Sequence, residues 1–121
     1  MICANPDIKV RVGDQLIWCA GALAAIYEEM GGTVIYPGKP HAAIYDLAVQ
    51  RLTDTGTAPK RILCIGDSPA TDIRGARLQG YDSLYVGTCL RAHGGDFQGG
   101  ALALFAEYKE TPTFAMTGHR W

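Results

Sequence analysis

A chain of 121 residues lies within the range of a single domain and is long enough to bury a core. With 11 Lys and Arg against 12 Asp and Glu, the net charge is −1, which excludes the broad positive field that recruits nucleic acid or an anionic membrane. No apolar stretch approaches the roughly 20 residues of a membrane span, and Met1 leads straight into an apolar segment without a signal-peptide pattern. Cys3, Cys19, Cys64 and Cys89 are widely spaced, with no Cys-x-x-Cys pair, and read as reduced thiols. A soluble, cytoplasmic protein is expected, with no nucleic-acid or membrane partner.

In chain order, Met1 to Ala4 reads as a strand ended by the turn formers Asn5-Pro6-Asp7. Asp14 to Trp18 leads into a helix over Ala20 to Met30, where Leu23, Ile26, Tyr27 and Met30 recur at helical spacing until Gly31-Gly32. Thr33 to Tyr36 is a second short strand and Pro37-Gly38-Lys39-Pro40 a turn. Pro40 opens a helix with Ile44, Leu47, Ala48 and Leu52 on one face, followed by the polar loop Thr53 to Pro59. The apolar run Ile62 to Ile65 predicts a strand buried on both faces in a parallel sheet. A helix over Ala70 to Gln79 follows, closed by Gly80, then a strand over Ser83 to Val86. Leu90 to Gly100 holds His93 and 4 glycines in a loop, Ala101 to Tyr108 is a helix, and Thr113 to Met116 adds an edge strand. Trp18, Tyr27 and Tyr45 are expected on helical faces in the core.

The chemistry concentrates where the Ile62 to Ile65 strand ends. Gly66 permits a tight turn, Asp67 leaves the strand at its carboxyl end, and Pro69 suits a first helical turn. Ligands of open α/β sheets gather at that edge. Asp67 and Asp72 can face one point from the loop and the helix start, and their hard oxygens suit Mg²⁺. The plainer alternative is that Asp67 and Ser68 cap the helix.

Gly38-Lys39-Pro40 together with Gly66-Asp67-Ser68-Pro69-Ala70-Thr71-Asp72 resembles the third and fourth motifs of the haloacid dehalogenase-like hydrolases. Asn5-Pro6-Asp7, the Gly21-Ala22-Leu23 helix and Gly31-Gly32 resemble the class IIA, NagD-like branch, whose members are mostly phosphatases. The resemblance runs from about Ile2 to Gly87. It implies an α/β fold with a three-layer Rossmann-like parallel sheet, here a partial core with the last piece of a cap: residues 1–36 the end of the cap, residues 37–121 the carboxyl-terminal half of the core. It implies that Lys39 neutralises the phosphate and the aspartyl-phosphate intermediate, that Asp67 binds Mg²⁺, and that Asp72 orients the metal's waters. Ser68 and Thr71 support the loop, and Asn5, Asp7 and Ser68 are candidates for substrate contact.

One Mg²⁺ and one lysine can supply the charge neutralisation that phosphoryl transfer to a carboxylate requires. The family's nucleophile, however, lies in an Asp-x-Asp motif, and none occurs in these 121 residues. The chain is therefore expected to be the carboxyl-terminal part of a Mg²⁺-dependent phosphatase for a small phosphorylated metabolite, inactive alone. Loss of the strand beside Ile62 to Ile65 would create an apolar edge open to self-association or to a separate amino-terminal half. The alternative is a non-catalytic phosphate or metal-binding module. A nucleotide-binding fold is disfavoured, since no Gly-x-Gly-x-x-Gly follows a strand and no Gly-Lys-Ser/Thr occurs. Lys39 could be an ordinary turn lysine, Asn5 and Asp7 mere turn formers, and His93 a solvated loop residue rather than a substrate contact. Cys64 reads as packing beside the loop.

Overall fold

The computed structural model describes residues 1–87 and 97–117. His93, Cys89 and most of the expected Leu90 to Gly100 loop lie outside the described residues. Strands β1 (Lys9–Val12) and β2 (Gln15–Trp18) form an antiparallel hairpin with Val12 opposite Gln15, so Gly13 and Asp14 make a two-residue turn. Gly13, at φ 59°, occupies the first central position, which a primed hairpin turn requires to have positive φ. This corrects the expected run of Asp14 to Trp18 into a helix and moves Trp18 from a helix face onto a strand. The readable signal was Gly-Asp between two runs rich in β-branched and aromatic residues.

The expected strands Met1 to Ala4 and Thr33 to Tyr36 reduce to one parallel bridge between Ile2 and Ile35. It is flanked by hydrogen bonds of 2.9 Å from Ile35 N to Met1 O and from Cys3 N to Ile35 O. Helix α1 (Ala20–Glu29) stops before Gly31. Helix α2 (Ala42–Asp54) starts two residues after Pro40, because the turn closes first, His41 N donating to Gly38 O at 3.0 Å.

The principal sheet contains β3 (Leu63–Gly66), β4 (Asp82–Val86) and β5 (Phe114–Met116), all parallel and in that spatial order. Between β3 and β4 the chain makes a π-helical turn (Pro69–Ile73) running into α3 (Arg74–Leu78), and α4 (Phe97–Tyr108) precedes β5. Parallel strands joined through helices make this a Rossmann-like α/β sheet. The expected helix over Ala70 to Gln79 is thus two pieces, of which only the second is α. The core lies over β4: Tyr85, Ile73 and Ala101 are buried, the half-buried Leu104 and Phe105 pack against them, and the Tyr85 and Phe105 rings meet edge-to-face at 4.9 Å. Among the described residues no helix is long and apolar enough to cross a membrane.

The expectation that the central strand is buried on both faces does not hold. Leu63 is 47% and Ile65 64% exposed, while Cys64 between them is partly covered. Among the described residues β3 is an edge strand, paired with β4 alone, and the face bearing Leu63 and Ile65 is uncovered. The α2 face of Ile44, Leu47 and Leu52 is likewise exposed, and so are Trp18 and Tyr27, so neither aromatic is core. Tyr45 is half-buried, its ring 6.3 Å from that of Tyr81.

α3 is tied to the far end of α4 by Glu110. Its buried carboxylate accepts from Arg77 Nε at 2.7 Å and Arg77 Nη2 at 2.9 Å, with Arg74 Nε at 4.0 Å. The two-pronged Arg77 hydrogen bond holds Glu110 below the usual carboxylate range, against the opposing effect of burial.

Two consequences are measurable. Truncating Ile73 to Ala should lower unfolding free energy by about 3 kcal/mol, whereas Leu102→Ala, at a side chain 67% exposed, should change it by less than about 0.5 kcal/mol; urea titration of both variants checks the position of the core. Because Glu110 has a lowered folded pKa, its contribution is complete above the unfolded value of about 4.3 and fades as pH falls through the folded value. Glu110→Gln should therefore flatten the acid limb of the stability profile below about pH 4.3 and lower the curve above it by a roughly constant amount.

Candidate active site

Every polar group in the site meets at the carboxyl end of β3, and Asp72 is the junction. Its carboxylate is buried, with 8% of the side chain exposed. Oδ2 accepts from the backbone N–H of Asp67 at 3.2 Å and of Ser68 at 3.1 Å. Oδ1 pairs with the Lys39 ammonium, which arrives from the turn before α2. A buried carboxylate persists only when ion pairs and hydrogen bonds replace its lost hydration, and here three donors do so.

Local sequence explains how Asp72 reaches that position. After β3 the chain turns at Gly66, and a Cβ on Gly66 would overlap the Asp72 carboxyl group, so only glycine lets the carboxylate lie against the strand end. Pro69 enters the helical turn where its missing N–H is harmless. The turn is π-helical, with Ser68 O accepting from Asp72 N at 2.9 Å and from Ile73 N at 3.2 Å. This wider winding turns Asp72 back toward the loop while Ile73 enters the core.

The structure thus unites Lys39, Asp72 and the Asp67-Ser68 backbone. Asp67 itself is exposed at the strand end. Asn5 and Asp7 join from the other direction: with Ala4, Pro6, Lys39 and Thr71 they line a cavity of about 270 Å³. Thr71, assigned from the sequence only to loop support, lies on this wall; its place three residues after Ser68 was the available signal. Ser68 is half-buried and touches Asp72 through its backbone. A wider hollow of about 550 Å³, lined among others by Lys60, Arg61 and Asp82, opens at the opposite, amino-terminal end of β3 and shares none of these groups.

Two further groups lie behind the junction. Burial, and then the nearby Asp72 charge, push the Cys64 thiol up, so it stays protonated and a poor nucleophile at neutral pH. Burial, followed by Cys64 and Asp72, pushes the Tyr45 hydroxyl up to about 12. Cys3, Cys19 and Cys64 are all free thiols.

For a metal, Asp67 and Asp72 provide the hard oxygen chemistry that Mg²⁺ prefers, and such an ion commonly takes only one or two carboxylates and keeps several waters. No group of three or more His, Cys, Asp or Glu gathers around one point among the described residues. Both Asp72 oxygens already accept from Lys39 and from the Asp67 and Ser68 amides, so Asp67 is the carboxylate of the pair that could hold such an ion, with water completing its shell.

A HAD-hydrolase-like family model matches residues 36–95, which includes Lys39, Asp67 and Asp72. No curated protein sequence matches the chain. Among solved structures, a haloacid dehalogenase-like hydrolase from Brucella suis is 47% identical over 72% of this chain and 33% of its own, with a TM-score of 0.62. A possible sugar phosphatase of the HAD superfamily from Cytophaga hutchinsonii is 25% identical over 97% of this chain and 40% of its own, with a TM-score of 0.75. A thermostable NPPase from Geobacillus stearothermophilus is 28% identical over 97% and 41%, with a TM-score of 0.65. The chain spans well under half the length of each of them. With Lys39 brought onto the Gly66-to-Asp72 loop at the end of a parallel strand, and with the family model matching that same segment, the chain belongs to the haloacid dehalogenase-like hydrolases and covers part of such a protein's length.

Proposed function

We propose that this chain supplies the phosphate-neutralising and metal-holding part of a Mg²⁺-dependent phosphohydrolase that acts on a small phosphorylated metabolite. The observation that carries the reading is the convergence of Lys39, Asp72 and the Asp67-Ser68 backbone at the carboxyl end of β3. Lys39, with its side chain half exposed, offers a positive charge to a phosphoryl group while Asp72 fixes its position. Asp67 would hold Mg²⁺, with Asp72 behind it orienting the metal's waters; when bound, the ion would neutralise charge on the transferring phosphoryl group. Ser68 would be a further contact for the same oxygens. In this reading residues 1–36 belong to a cap and residues 37–121 to the core, and the three free thiols suit a reducing, cytoplasmic setting.

The chain contains no Asp-x-Asp, so an aspartyl-phosphate intermediate requires a carboxylate that these 121 residues do not provide. The exposed edge of β3, with Leu63 and Ile65 uncovered, supports a second element of the proposal. A parallel strand, from an amino-terminal half or from a second copy, would pair there and cover both side chains. The same edge supports the alternative of a non-catalytic phosphate-binding module working within a larger assembly.

Titration with MgCl₂ should move the amide signals of residues 65 to 73, and Asp67→Asn should remove most of that response; equal responses in the two proteins would defeat the metal assignment. In parallel, Lys39→Met should weaken inorganic phosphate binding about tenfold, the loss of one charge-assisted contact. On an aryl phosphate the chain alone should show no Mg²⁺-dependent turnover, since no nucleophile completes the two-step route. Turnover that disappears in Lys39→Met would refute the division of labour proposed here.

A further inference from the structure

Resting on the phosphate-site reading above, we infer that the Asn5-to-Asp7 turn determines specificity, and that it selects small phosphomonoesters carrying an ammonium group at the end remote from phosphorus. Lys39, Thr71 and the Asn5-Pro6-Asp7 turn all line the cavity of about 270 Å³. A phosphorylated ligand that reaches Lys39 through this cavity therefore lies against the turn.

The turn is held far more firmly than exposed Asx turns require. Asp7 N donates to Asn5 Oδ1 at 3.0 Å, which commits the Asn5 side chain to the turn itself. The Cys3 thiol donates to Asn5 O at 3.1 Å, and Gly21 N donates to Asp7 O at 3.1 Å. α1 presses so closely that a Cβ on Gly21 would overlap the Pro6 carbonyl, and a Cβ on Gly38 would lie 2.6 Å from Ala4 O. The turn is thus clamped between the start of α1 and the turn that carries Lys39. Asp7 N, Asn5 O and Asp7 O are engaged in the clamp, whereas the Asp7 carboxylate makes no hydrogen bond or ion pair among the described residues.

Charge then decides what fits. Lys39 attracts a phosphate, and Asp7 across the same cavity repels it, so a bare phosphate or a phosphate ester with a neutral end satisfies only one wall. A zwitterion carrying both a phosphate and an ammonium satisfies both, with Thr71 lining the same cavity. The volume falls below that of ordinary drug-sized pockets, about 300 Å³ or more, which suits a small ligand.

The test uses the 121-residue chain with MgCl₂ present and follows amide shifts of Asp7, Gly21, Lys39 and Thr71 during titration with phosphoethanolamine, ethyl phosphate and inorganic phosphate. Phosphoethanolamine should bind about threefold more tightly than ethyl phosphate, the size expected of one partly exposed charge pair. Asp7→Asn, which keeps shape and the turn, should abolish that preference and leave ethyl phosphate binding equal or tighter, while Lys39→Met should weaken all three ligands alike. Equal affinity for the two esters in the wild type, or a preference that survives in Asp7→Asn, overturns the inference while the phosphate-site reading stands. If none of the three ligands moves Lys39 and Thr71 in the wild type, the phosphate-site reading falls, and the specificity inference with it.

Discussion

The site depends on keeping one carboxylate charged while it is buried. Asp72 has little access to water, and removing a carboxylate from water without compensation would cost several kcal/mol. The compensation is divided between parts of the chain far apart in sequence: two adjacent backbone N–H groups in the loop after β3, and Lys39 from 33 residues upstream. This division makes Asp72 a structural tie as well as a functional group. It binds the turn before α2 to the end of β3, so the lysine cannot drift from the loop without exposing an unpaired charge. Gly66 is the steric condition for the arrangement, since any side chain there would occupy the space of the carboxylate.

The π-helical turn joins this tie to the core. Asp72 and Ile73 are adjacent, and the winding at Ser68 directs the first toward the loop and the second into the cluster with Tyr85 and Ala101. Packing on β4 therefore fixes the position of the polar junction. Glu110, paired with Arg77, secures α3 from its other end. Two buried acids, each neutralised by a basic residue from elsewhere in the chain, bracket the short helical segment between β3 and β4.

Outside this region much apolar surface is uncovered. β3 has one strand neighbour, the α2 stripe faces solvent, and the hairpin and α1 enclose an apolar hollow of about 840 Å³ that includes Trp18, Leu23 and Ile26. Contiguous apolar surface of this kind is uncommon on a soluble monomer and marks interaction surfaces or ligand grooves. It also accounts for the sequence patterns: the periodicity of α1, α2 and β3 reads as core because those residues are suited to burial, although the described residues supply no layer to bury them.

The sequence by itself determined the local chemistry. Gly-Asp-Ser-Pro after an apolar run specified a strand, a tight turn and a helical start, and Gly38-Lys39-Pro40 specified a turn presenting a lysine; glycine and proline act through their own dihedral limits, which need no distant partner. That the sheet is parallel was legible in the same way from alternating helix and strand patterns, whereas the β3-β4-β5 order came from the structure. Tertiary structure alone decided that Asp72 points inward to the Asp67 and Ser68 amides, that Asn5 and Asp7 share a cavity with Lys39 and Thr71, and that the helical segment opens with a π turn. It also decided that Met1 to Ala4 and Thr33 to Tyr36 pair through one bridge only, and that Lys9 to Trp18 folds back as a hairpin. These outcomes depend on which surfaces meet across tens of residues, and whether an apolar face is covered is a property of its neighbours and not of its own sequence.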